Sequence, residues 1–129
     1  MDRTFAILSG VLGFTGVALG AFGAHGLQRR LSDVPDFAKR MEWWHTAAQY
    51  HLVHAIAVAI AAWLASRGAG GASTVAGWSF VAGVALFSGS LYAMTVTGVR
   101  ALGAVTPIGG LLFLVGWGAV VMAAIRLPR

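Results

Sequence analysis

Along this chain the polar positions come in short groups and the apolar ones in long runs. Thr4 to Ala24 carries no charge, and neither do Thr74 to Val96 or Leu102 to Ile125. Thr46 to Leu64 is apolar apart from Gln49, His51 and His54. Crossing roughly 30 Å of hydrocarbon at about 1.5 Å per residue takes about 20 such residues. The pattern therefore predicts four membrane-spanning helices, at about 4–24, 46–64, 74–96 and 102–125. The first run exceeds the roughly 7–15-residue apolar core of a secretory signal, so it is read as a retained helix.

The long first connection has a pattern of its own. Ser32, Asp33 and Pro35 form a helix-start signal, with capping oxygens followed by a proline whose missing N–H is harmless there. Beyond it Phe37, Met41, Trp44 and Ala48 recur at helical spacing. The second helix is thus expected to start near Asp33 and to run about three turns outside the hydrocarbon, with Trp43 and Trp44 at the interface. Gly26 is expected to cap the first helix in a left-handed conformation just after His25. Thr106 and Pro107 read as the cap and first position of the fourth.

Composition agrees with this reading. Of 129 residues, 58% are hydrophobic and 10% charged, where soluble domains carry roughly 25% charged residues. A chain so poor in charge cannot coat a water-facing surface, and the fold class expected is an all-α, integral membrane four-helix bundle forming a single domain over 1–129. There is no cysteine, which removes disulfides, thiolate metal sites and thiol nucleophiles. The net charge of +5 is scattered in ones and twos rather than gathered on one face, so no nucleic-acid partner is expected. Arg3, Arg67, Arg126 and Arg129 fall on the side of the termini; Arg29, Arg30, Lys39, Arg40 and Arg100 fall on the other. The compact group between the first two spans favours a cytoplasmic first loop and external termini.

Four features within or beside the spans carry possible chemistry. Ser9, Gly13, Gly16, Gly20 and Gly23 line one face of the first helix, a stripe that in lipid marks close helix approach, either within the monomer or between subunits. In the second helix Tyr50, His51 and His54 share one sector, while Glu42, His45 and Gln49 lie nearly opposite. Intramembrane ionisable groups default to a functional hypothesis. A histidine pair three residues apart can relay protons or ligate metal or haem, but no Asp or Glu lies within any span to complete a site. Hydrogen bonding across a helix seam is the first reading. In the third helix Ser88, Tyr92 and Thr95 share a face and can serve the histidines or their own backbone carbonyls. His25 is read as a helix-end residue, within possible reach of Glu42 or His45. No acid is placed to orient a histidine towards a serine, so no catalytic set forms and an enzyme is not expected.

Together, GAFGAHGL (Gly20 to Leu27), TAAQYHLVHA (Thr46 to Ala55), FSGSLY (Phe87 to Tyr92), TPIGG (Thr106 to Gly110) and the later Gly116–Trp117 pair resemble the membrane family known as domain of unknown function 423, which includes transmembrane protein 256 and bacterial relatives. The resemblance covers nearly the whole chain. It implies four membrane helices in a bacterial inner or plasma membrane, and brings no cofactor or catalytic residue to carry over. Three functions follow as expectations. The first is a structural or accessory protein that acts through contacts with itself or a larger membrane complex. The second is a small oligomeric transporter or channel lined by His51, His54, Ser88 and Tyr92. The third is a metal- or haem-binding protein using His51 and His54.

Overall fold

The computed structural model describes residues 1–128; Arg129, counted above among the cations near the termini, lies outside the described residues. Four long helices follow one another: α1 (Asp2–Arg30), α2 (Phe37–Ser66), α3 (Gly71–Thr97) and α4 (Thr106–Ile125), the last preceded by a 3₁₀ turn at Arg100–Ala104. The first three expected spans fall inside α1, α2 and α3; the fourth, 102–125, begins within the 3₁₀ turn and ends with α4. At about 1.5 Å per residue, the 30 residues of α2 and 29 of α1 extend about 45 Å, well past the roughly 30 Å of hydrocarbon.

α2 is the hub. It packs between α1 and α3, and α4 packs on α3. Over the most apolar stretch of each helix, 56% of positions are buried in α2, against 11% in α1 and 22% in α4. The outer helices thus lay most of their apolar surface towards lipid. The main core is built of small residues on α2 (Ala57, Val58, Ala61) against rings from other helices (Phe5, Phe80, Phe113). Small residues bring the backbones close, as dispersion requires where no hydrophobic drive operates between helices. Phe5 of α1 meets α3 directly, occupying the space a Cβ at Gly77 would need.

Three local expectations are corrected. α2 begins at Phe37, four residues later than the cap signal placed it. Ser32 Oγ folds back to the Arg29 carbonyl (3.0 Å) and the Asp36 carboxylate takes the Arg40 guanidinium (2.9 Å), so neither caps the helix. Gly26 is not left-handed; α1 widens into a π turn at Gly23–Leu27 and continues to Arg30. Thr106 does not cap α4, because its hydroxyl pairs with Ser90 Oγ at 2.6 Å. Pro107 does stand in the first turn of α4. A second π turn interrupts α3 at Val84–Ser88, and Gly98 ends that helix in the left-handed region, its N–H bonded to the Met94 carbonyl.

Candidate functional site: a polar interior sealed by its own helices

The α1–α2 seam is assembled from part of the small-residue stripe. Ser9 Oγ donates to the Ala55 carbonyl at 2.8 Å. Gly16 admits Leu52 and the His51 ring, and Gly23 admits the Trp44 indole, whose N–H donates to the Leu19 carbonyl at 2.9 Å. Gly13 and Gly20 differ: a Cβ built on either meets nothing within 4 Å. The stripe thus splits into positions that receive a side chain from α2 and positions that face outward beside them.

The α2–α3 seam is antiparallel and closed by hydroxyls. Thr95 Oγ1 lies 3.1 Å from the Arg40 carbonyl and 2.9 Å from its own Leu91 carbonyl, Tyr92 packs its ring on Trp44, and Ser88 Oγ donates to the Ala47 carbonyl at 2.8 Å. Of the three hydroxyls on this face of α3, Tyr92 alone reaches a histidine.

The two histidines point into different seams. His51 stands between α1 and α3, with Nδ1 3.0 Å from Tyr92 Oη and Nε2 3.3 Å from Thr15 Oγ1. The Thr15 hydroxyl lies 2.9 Å from the Val11 carbonyl and 3.1 Å from the Leu12 carbonyl; with its single proton on either, Thr15 accepts from His51 Nε2–H and Tyr92 donates to bare Nδ1. His54 stands between α3 and α4. Its Nδ1 lies 2.7 Å from the Tyr50 carbonyl, which only accepts, and its Nε2 receives the Trp117 indole N–H at 3.2 Å. The hydrogen-bond network therefore assigns opposite tautomers: N–H at Nε2 in His51 and at Nδ1 in His54. Phe113 stacks on the His54 ring with centroids 3.6 Å apart. Each ring nitrogen of the two histidines has a hydrogen-bond partner within the bundle. No group of three or more metal-ligating side chains occurs among the described residues.

The remaining candidates are not drawn together. Tyr50 is 41% exposed and its ring lies against Phe87 (centroids 4.6 Å). With His54, Phe87, Phe113, Trp117 and the Pro107–Leu111 turn of α4, it lines a groove of about 520 Å³ open to the outside of the bundle. Gln49 is exposed and borders a smaller hollow of about 140 Å³ beside Tyr50 and Val53. Glu42 pairs with Lys39 at 3.2 Å on the surface. His45 and His25 are exposed and make no hydrogen bond with Glu42 or each other.

Sequence reasoning missed Thr15, Trp117 and the loop-side cluster around Arg40. Thr15 sits about a third of a turn from the centre of the small-residue stripe, so a stripe-based search passes over it. Trp117 was visible only as part of a Gly–Trp pair. Asp36 stands out in the sequence only by its charge, yet it gathers Arg40 at 2.9 Å and Arg100 at 3.7 Å, with Arg100 also lying over the Trp43 ring.

Residues 19–110 match the family model described as protein of unknown function DUF423. A UPF0382 membrane protein of Bacillus subtilis strain 168, YwdK, is 44% identical over 125 residues, covering 96% of this chain and 98% of the relative. SERP0230, a UPF0382 membrane protein of Staphylococcus epidermidis, is 39% identical, covering 96% and 97%. The UPF0382 inner membrane protein YgdD of Escherichia coli K12 is 38% identical over 131 residues, covering 99% and 94%. No solved structure matches the chain. With four apolar helices long enough to cross a bilayer and relatives that align end to end, this chain is a small multi-pass membrane protein of the DUF423 family.

Proposed function

We propose that this protein is a non-enzymatic structural or accessory component of the membrane, acting through contacts of its outer helices with a second copy or with a larger complex. One observation carries the reading: Ser9, Thr15, His51, His54, Ser88, Tyr92 and Thr95 are hydrogen-bonded within the bundle, and no buried side-chain nitrogen or oxygen among the described residues lacks a hydrogen bond. Polar groups spent in this way hold helices together; a conducting path needs groups free to exchange partners with a permeant. The apolar outer faces of α1 and α4, with Phe14 78% and Leu114 70% exposed, are what the protein offers its surroundings.

Because the chain has no cysteine, a single introduced thiol reports contacts without background. Phe14→Cys in native membranes, followed by oxidative crosslinking, is expected to give a discrete adduct. Size exclusion in mild detergent is expected to give a particle larger than one chain. A strictly monomeric particle with no adduct at Phe14→Cys or Leu114→Cys overturns the reading.

A further inference from the structure

The groove on the outer side of α2, α3 and α4 has properties that the accessory role does not use. Its volume of about 520 Å³ lies within the roughly 300–1,000 Å³ of small-molecule sites. Its walls are largely aromatic: Tyr50 against Phe87 at 4.6 Å, Phe87 against Phe113 at 5.4 Å, and the Trp117 indole further along. It begins at Pro107 in the first turn of α4 and reaches Trp117, about 15 Å deeper at 1.5 Å per residue. The form is a slot running from the interface towards mid-membrane.

Its polar content is sparse and directional. The His54 nitrogens are committed to Tyr50 O and Trp117 N–H, and the nearby Ser90 and Thr106 hydroxyls are committed to each other. The Tyr50 hydroxyl has no hydrogen-bond partner among the described residues. A hydroxyl left without an acceptor within a membrane span is costly, so it calls for an acceptor on whatever fills the slot. No charged side chain lines the groove, which leaves a phosphate headgroup nothing to bind. Aromatic walls, one free O–H donor, no cation and access from lipid fit a planar, uncharged ring that carries a carbonyl and an apolar tail.

The geometry points to this groove as a binding site for a membrane-dissolved quinone, with its ring against Phe87, Phe113 and Trp117 and a ring carbonyl accepting from Tyr50 Oη. The proposal concerns binding, and no electron transfer is assigned. The probe is decylubiquinone, titrated into protein held in phosphatidylcholine nanodiscs and read by quenching of tryptophan fluorescence. Saturable quenching is expected. Tyr50→Phe is expected to weaken it about tenfold, the worth of one ordinary hydrogen bond. Gly110→Leu, which projects a side chain into the slot beside Phe87, is expected to abolish saturation. Leu111→Trp, at an exposed position on the rim, provides a second block should Gly110→Leu fail to fold; helicity by circular dichroism checks each variant. Quenching that rises without saturation, equally in wild type and both blocked variants, means partition into the bilayer and overturns the proposal. So does a phospholipid retained in native mass spectra that decylubiquinone does not displace.

Discussion

Arg40 and Thr95 hold each other twice: the threonine hydroxyl reaches the arginine carbonyl at 3.1 Å and the guanidinium donates to the threonine carbonyl at 3.3 Å. The same guanidinium is bonded to Asp36 and lies against the left-handed Gly98. One largely buried side chain therefore ties the start of α2 to the end of α3. Replacing it with methionine leaves the Asp36 carboxylate and the Thr95 carbonyl short of a donor, and a loss of about 1–3 kcal/mol is expected. Arg40→Lys is expected to recover little, since a single ammonium cannot span both acceptors as the guanidinium fork does. Thermal melting of the helical signal in detergent checks both variants; an Arg40→Met protein as stable as wild type would contradict the assignment.

The tautomers of the two histidines are directly measurable. Long-range ¹H–¹⁵N spectra of histidine-labelled protein are expected to show one ring protonated at Nε2 (His51) and one at Nδ1 (His54), assigned by His51→Leu and His54→Leu. Two buried rings of the same tautomer would break either the Thr15 or the Trp117 contact as described.

Tyr92 and His51 are expected to be coupled. In a cycle of Tyr92→Phe, His51→Leu and the double variant, the interaction energy should be about 0.6 kcal/mol and at most about 1.7 kcal/mol, the range for hydrogen bonds between membrane helices. Additive effects would mean that the 3.0 Å contact contributes nothing.

The glycine stripe gives a prediction of sign. At Gly23 a Cβ collides with the Trp44 ring, which its bond to Leu19 O holds in place, so Gly23→Ala is expected to cost about 1–3 kcal/mol by overpacking. At Gly13 and Gly20 there is space, and alanine is expected to stabilise the helix by about 0.5–1 kcal/mol through lost backbone freedom. Equal effects at the two kinds of position would refute the division of the stripe. If Gly13→Ala leaves the monomer sound yet abolishes the Phe14→Cys adduct, those outward glycines belong to the subunit contact.

Much of the fold was legible because the bilayer imposes one strong rule: apolar runs of spanning length become helices. The second helix was also legible as a long one, since Phe37, Met41 and Trp44 kept the helical period outside the hydrocarbon. The local ends were not. Ser32, Asp33 and Asp36 are all good caps by type, and nothing local reveals that Asp36 will be claimed by two arginines. The candidate site was legible as a set of residues but not as a grouping. His51 lies about 100° from Tyr50 around the helix and His54 about 40°, and that difference sends the two histidines to separate neighbours. Which seam each ring enters depends on how α1 and α4 pack around the hub, information that no single helix contains.

The widened turn at Val84–Ser88 has a bearing on how this fold tolerates insertions and deletions. Such a turn is an α-helix carrying one surplus residue, here set where the Phe87 backbone comes up against Gly109. Deleting one residue there restores ordinary α-helical hydrogen bonding, and because the widened turn already advances about 100° less than the same residues would in an α-helix, everything downstream keeps nearly the phase it has. Ser90, Tyr92 and Thr95 would then still face Thr106, His51 and Arg40. The widened turn takes up the surplus residue while the two halves of the helix keep their phase, so its loss alters the local backbone facing Gly109 and spares the contacts on either side.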